Sequence, residues 1–135
     1  MSKRMRPSSQ ELAALLDSVH QLALLYFHGR GVAQDYAEAA RLWRLAAAQG
    51  LAHAQHNLGS MFMNGLGVPQ DYAEAVRLYR LSAAQGNAPA QCALGYLFFR
   101  GQVVAKDYAE AVQLWRLAAA QGHAIAQCAL GNLGR

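Results

Sequence analysis

The chain of 135 residues is 54% hydrophobic and only 15% charged, a balance that excludes an intrinsically disordered polymer. Three prolines and two cysteines exclude a proline-rich linker and a disulfide scaffold. The formal charge is +4, but Lys3, Arg4 and Arg6 carry three of those charges and leave a body of net +1, so a basic nucleic-acid-binding face is not expected.

Residues 1–7 read as a basic, disordered tail. Met1 to Arg6 resembles the start of a secretory signal, but Ser8, Ser9, Gln10, Glu11 and Asp17 come next, and no apolar run of signal length exists. The most apolar stretch, Leu22 to Phe27, is far short of the roughly 20 residues that cross a bilayer. A cytoplasmic chain with no membrane contact is expected, with one domain over 8–135. Ser9 to Leu16 predicts an N-terminal capping helix, separate from or continuous with the segment up to His28.

Internal repetition dominates the remainder of the chain. Asp-Tyr-Ala-Glu-Ala begins at Asp35, Asp71 and Asp107, and Ala-Ala-Gln-Gly ends at Gly50, Gly86 and Gly122. Leu-Gly recurs at Leu58, Leu94 and Leu130, each preceded by Ala-Gln at Ala54, Ala90 and Ala126. All keep a spacing of 36 residues, which defines units over about 18–53, 54–89 and 90–125 and a partial fourth over 126–135. Within a unit, Ala54, Leu58, Met61 and Phe62 form one helical stripe, stopped by Gly65. The loop to Gln70 cannot continue a helix. Asp71 then caps a second helix and Glu74, three residues on, predicts a reciprocal capping box. Ala75, Leu78, Tyr79, Ser82 and Ala83 form its buried stripe. Such a hairpin cannot bury its apolar face alone, so stacking must supply the missing surface: an all-α, α/α solenoid.

Gly59, Gly95 and Gly131 stand in mid-helix, each costing roughly 1 kcal/mol relative to alanine. The repeated cost predicts that an aromatic ring of the partner helix crosses there, with Trp43, Tyr79 and Trp115 as the rings. Unit one is worn, carrying Ser18, Val19, Leu22 and Ala23 in the repeat positions. The partial fourth unit, ending at Arg135 with Gly134 in the place of Phe62 and Phe98, leaves a flank that self-association or a longer natural chain would cover.

The unit Ala-Gln-x-x-Leu-Gly-x-x-(Phe/Tyr)-x-x-Gly-x-Gly-Val-x-x-Asp-Tyr-x-x-Ala, followed by Ala-Ala-x-x-Gly, resembles the Sel-one-like repeat (SLR), a variant of the tetratricopeptide repeat (TPR). The resemblance covers residues 18–133. It departs from the pattern at Val103, which replaces the glycine of Gly31 and Gly67, in the worn first helix and in the truncated fourth unit. It implies a solenoid with a concave face lined by first helices, acting as a non-enzymatic adaptor or scaffold for another protein, as in bacterial regulators and immunity proteins. It carries no catalytic machinery, and the hairpin disulfides of some relatives are missing here.

The chemistry-bearing residues agree. Most acidic residues are committed to helix caps, so no catalytic constellation is expected, and no cofactor. His53 and His56 are spaced to share a metal, and Cys92 and Cys128 repeat the position of His56. Hairpins stacked roughly 10 Å apart hold those cysteines too far apart for a disulfide, which needs about 7 Å, and argue against a shared zinc site. Arg41, Arg44, Arg77, Arg80, Gln113 and Arg116 form an outer ladder, partly neutralised by Glu38 and Glu74. The ladder lacks the interleaved aromatics of single-strand binders, so anion or nucleic-acid binding there is a weaker alternative. Partner specificity belongs where the units differ and side chains point away from the second helix. A helical wheel places His20, Leu24, Phe27 and His28 there in unit one, His56, Ser60, Met63 and Asn64 in unit two, and Cys92, Tyr96, Phe99 and Arg100 in unit three. The strip reads as a groove for a peptide or partner helix, or else as packing between neighbouring first helices. The alternative to partner capture is self-association through the incomplete C-terminal repeat.

Overall fold

A computed structural model describes residues 6–133, the Cys128 side chain excepted. Lys3 and Arg4 of the expected tail, and Gly134 and Arg135, lie outside the described residues. Arg6 and Pro7 are exposed and outside any helix. Seven helices make up the chain among these residues: α1 (Ser9–His28), α2 (Tyr36–Ala48), α3 (Ala52–Asn64), α4 (Tyr72–Ala84), α5 (Ala88–Arg100), α6 (Tyr108–Ala120) and α7 (Ala124–Leu133), with no strand among the described residues. The capping helix and the first repeat helix are one continuous α1 of 20 residues, capped by Ser8, whose hydroxyl accepts from the Glu11 N–H at 3.1 Å. Helices pack chiefly on their neighbours in sequence, the quasi-one-dimensional arrangement of a solenoid.

The three second helices start alike. The carboxylates of Asp35, Asp71 and Asp107 accept from the N–H of Glu38, Glu74 and Glu110. The reciprocal half of the expected capping box is not formed. The Asp71 N–H instead donates to the Phe62 carbonyl at 2.9 Å, as Asp35 does to Tyr26 and Asp107 to Phe98. The loop after each glycine stop brings that carbonyl back to the cap, so Glu38 and Glu74 are released to pair with Arg41 and Arg77.

Stacking is built from small residues under large rings. A Cβ on Gly95 would lie 2.6 Å from Trp115 Nε1, and one on Gly59 would lie 3.1 Å from the Tyr79 ring, so each glycine leaves room for a ring of its partner helix. Ala23 fills the equivalent place beside Trp43 and is fully buried. One core runs through Trp43, Leu58, Met61, Leu78, Tyr79, Leu94 and Leu114. A second, around Trp115, takes in Cys92, Ala111, Ala118, Ala126 and Ala129.

A glutamine ladder, not foreseen from the Ala-Gln markers, ties the hairpins together. Gln55 Nε2 donates to the Ala47 carbonyl, Gln91 to Ala83 and Gln127 to Ala119. Gln85 Nε2 donates both to the Gly50 carbonyl and to Gln55 Oε1, at 2.8 Å each, and Gln121 repeats this with Gly86 and Gln91. One of the last carbonyls of each second helix, which also accepts from the N–H of Gly50, Gly86 or Gly122, is thereby tied to the next helix. Unit one carries Val19 at this position, and among the described residues no second helix precedes it.

Val103 keeps the left-handed conformation of the glycine it replaces, with φ of 66°, and the Val104 N–H closes a three-residue turn onto the Gln102 carbonyl at 2.6 Å. A β-branched residue is strained there by about 1–2 kcal/mol. Val103→Gly is therefore expected to raise stability by about 1 kcal/mol, read from the urea midpoint, because Val103 is 50% exposed and loses little packing.

Candidate functional site

Residues of α1 and α3, with Trp43 of α2 between them, line a groove of about 250 Å³. Leu24, Phe27, Trp43 and Met61 supply apolar lining, and Asn57, Ser60 and Asn64 supply polar groups. His28 also lines it and, with Asn64, is exposed. Five of the expected strip residues, Leu24, Phe27, His28, Ser60 and Asn64, thus meet at one place. Asn57 was missed by the wheel; its variation among units, with Gln21 and Ala93 as equivalents, was the available signal. Met63 and Asn64 line a second groove of about 560 Å³ with Gln70, Tyr72, Leu97 and Val103.

The strip does not point wholly away from the second helices. Phe27 packs its ring 5.6 Å from Trp43 and 5.1 Å from Tyr36. Tyr96 meets Trp115 edge-on at 5.0 Å, and Phe99 lies 5.4 Å from Trp115 and 5.3 Å from Tyr108. The indole crossing the glycine slot is wider than the arc a helical wheel assigns to the buried face, so it reaches the flanking rings. Cys92 is only 4% exposed, in the second core, because its backbone carbonyl receives the Trp115 indole N–H at 3.2 Å. Its free thiol has a pKa raised by burial. Arg100 is exposed at the end of α5.

Histidines give this face its titratable chemistry. Trp43 Nε1–H donates to His20 Nδ1 at 3.0 Å, which fixes the neutral ring with its proton on Nε2. The His20 ring stacks on His53 with centroids 5.5 Å apart. Burial, then the charge of His53, lowers the His20 pKa against the opposing pull of Asp17. Burial likewise lowers His56, partly offset by its hydrogen bond with Asn57. Both groups bind protons less readily folded than unfolded, so their contribution to stability is complete above the ordinary 6.5 and is lost as pH falls through the folded values. The melting temperature is expected to drop on acidification from pH about 7.5 to about 5, and to drop less in His20→Gln and His56→Gln.

Among the described residues, no three histidine, cysteine or carboxylate side chains gather closely enough to hold a metal. On the outer face four of the ladder's arginines are engaged: Arg41 and Arg77 pair with Glu38 and Glu74, while Arg44 and Arg80 lie over the Phe62 and Phe98 rings of the next hairpin at 5.4 and 5.6 Å. No helix of the described residues is long and apolar enough to cross a membrane.

The Sel1 repeat pattern matches the chain three times, over residues 16–51, 52–87 and 88–123. Among solved structures, the chain is 38% identical to c5321, a protective antigen of uropathogenic Escherichia coli strains with an SLR fold. That likeness has a TM-score of 0.83 and covers 90% of this chain and 26% of that one. It is 33% identical to a Sel1 repeat protein of Oxalobacter formigenes, with a TM-score of 0.86 over 95% of this chain and 53% of that one. Helicobacter pylori cysteine-rich protein B, 18% identical with a TM-score of 0.70 over 90% and 92% of the two chains, shares the fold. The chain thus spans about a quarter and about half of the first two proteins. No curated protein matches it. Three consecutive repeats and their stacked hairpins account for most of its length, and the chain belongs to the Sel1 repeat family.

Proposed function

We propose that this chain captures another protein in the groove between α1 and α3, on the face formed by its first helices. Sel1 repeat proteins are generally protein-interaction scaffolds without catalytic activity, and a regulatory or immunity-type role is one form such capture takes. The observation that carries the reading is the groove itself: an apolar floor of Leu24, Phe27 and Trp43 with carboxamides at its rim. An apolar side chain of a peptide fits the floor. Asn64 already donates to the Ser60 carbonyl at 2.9 Å, which leaves its Oδ1 to accept a peptide N–H.

Tyr96 and Phe99 pack on Trp115, so truncating them confounds binding with folding. The exposed His28 and Asn64 make a cleaner test. A partner isolated from the host and then purified is expected to bind His28→Ala/Asn64→Ala at least about tenfold more weakly than the parent chain, with helicity unchanged. Arg80→Ala, on the outer face, is expected to bind normally. Normal binding by the double variant, or loss with Arg80→Ala alone, contradicts the reading.

A further inference from the structure

The ring of each second helix is held by a polar atom from the first helix of its own hairpin, and the three anchors differ in chemistry. The Trp115 indole donates to the Cys92 backbone carbonyl at 3.2 Å, and the Tyr79 hydroxyl pairs with Ser60 Oγ at 2.9 Å. Neither the carbonyl nor the serine hydroxyl changes protonation near neutral pH. Of the three rings, Trp43 alone is held by a histidine, His20, whose Nδ1 accepts from the indole N–H at 3.0 Å. His20, His56 and Cys92 share one repeat position, but the His56 ring merely lies beside Tyr79, with centroids 5.8 Å apart. Unit one therefore puts a titratable group on the ring that lines the α1–α3 groove.

The indole N–H needs a lone pair on Nδ1, and only the neutral imidazole has one. In the imidazolium Nδ1 carries a proton, so two N–H groups would face each other. Trp43 is 2% exposed, and loss of its acceptor leaves a buried donor unsatisfied. Two charged groups act on His20. Asp17, exposed one turn earlier on α1, attracts the charged ring, and His53 of α3, stacked on it with centroids 5.5 Å apart, repels it when both are protonated. Helix α2 meets His20 with the neutral indole. His53 in turn acts on His56, on which His123 acts as well. Proton uptake thus moves the His20 ring off Trp43 toward Asp17. We propose that His20 is a proton-operated latch on the α1–α3 groove, holding Trp43 in its floor at neutral pH and letting it go when Nδ1 is protonated. Phe27, 5.6 Å from Trp43 and part of the same lining, loosens with it, and capture weakens in mildly acidic solution. This last step rests on the groove being the capture site.

The latch is tested first on the free, isotope-labelled chain, by nuclear magnetic resonance from pH about 7.5 to about 5.5. The indole N–H resonance of Trp43, told from that of Trp115 with a Trp115→Phe variant, is expected to shift with the same midpoint as the His20 ring, while the Trp115 resonance stays in place. His20→Gln supplies a carboxamide oxygen as acceptor and should abolish that titration. Asp17→Asn should lower the midpoint and His53→Gln should raise it, since the first group favours and the second opposes protonation of His20. A Trp43 resonance that stays in place while His20 titrates, with the amide spectrum still that of the folded chain, overturns the proposal. The partner purified from the host should bind the parent chain about tenfold more weakly at the acidic end, and His20→Gln less than about threefold more weakly. An equal fall in both also overturns it. If the indole titrates as expected but His28→Ala/Asn64→Ala binds normally, the latch stands and the capture reading fails.

Discussion

Trp115→Ala is expected to lower stability by about 3–5 kcal/mol, a large share of the roughly 5–15 kcal/mol that holds a domain folded. The indole is 1% exposed. It fills the slot over Gly95, donates to the Cys92 carbonyl at 3.2 Å, and supports the Tyr96 and Phe99 rings. Alanine leaves a cavity, and Gly95 has no side chain with which to close it. Because each hairpin touches chiefly its neighbours, the loss falls on α5, α6 and α7, and the urea transition should broaden as these helices melt before α1 to α4. A change under about 1 kcal/mol would mean that the ring does not organise the third hairpin.

Gly67→Ala is expected to cost about 2–5 kcal/mol, combining a left-handed backbone with overpacking. Its φ is +69°, and an added Cβ would lie within hard contact of the Tyr36 carbonyl at the start of α2. The obstacle is backbone, so no rotamer change relieves it. The equivalent Gly31 has nothing within 4 Å among the described residues, and Gly31→Ala should show only the conformational part, about 1–2 kcal/mol. Equal losses in thermal melts of the two variants would contradict an inter-hairpin contact at Gly67.

Much of this architecture is legible in the sequence because the repeat states each local rule two or three times. Asp at the cap, glycine at the stop, and a glycine set against an aromatic 20 residues later all follow from backbone geometry and volume, and they hold at Asp71, Gly65, and Gly59 with Tyr79. Less visible are features that depend on which of several partners a flexible polar side chain selects. Glu74 chooses Arg77 over the Asp71 amide because a carbonyl from the preceding helix arrives there first. The Ala-Gln pairs mark register in the sequence, but their bonds to Ala47 and Ala83 exist only once hairpins stack. The candidate site was half legible for a related reason. A helical wheel treats side chains as points, so it placed Tyr96 and Phe99 away from α6, whereas the breadth of the Trp115 indole draws both rings to it.

The claim that capture occurs between α1 and α3 is tested most directly by amide and side-chain chemical-shift mapping on the labelled chain as the purified partner is added. The largest changes are expected at Leu24, Phe27, His28, Asn57, Ser60 and Asn64, with the outer residues Arg41, Arg44, Arg77 and Arg80 unmoved. Changes concentrated on those arginines, with the groove silent, would contradict it.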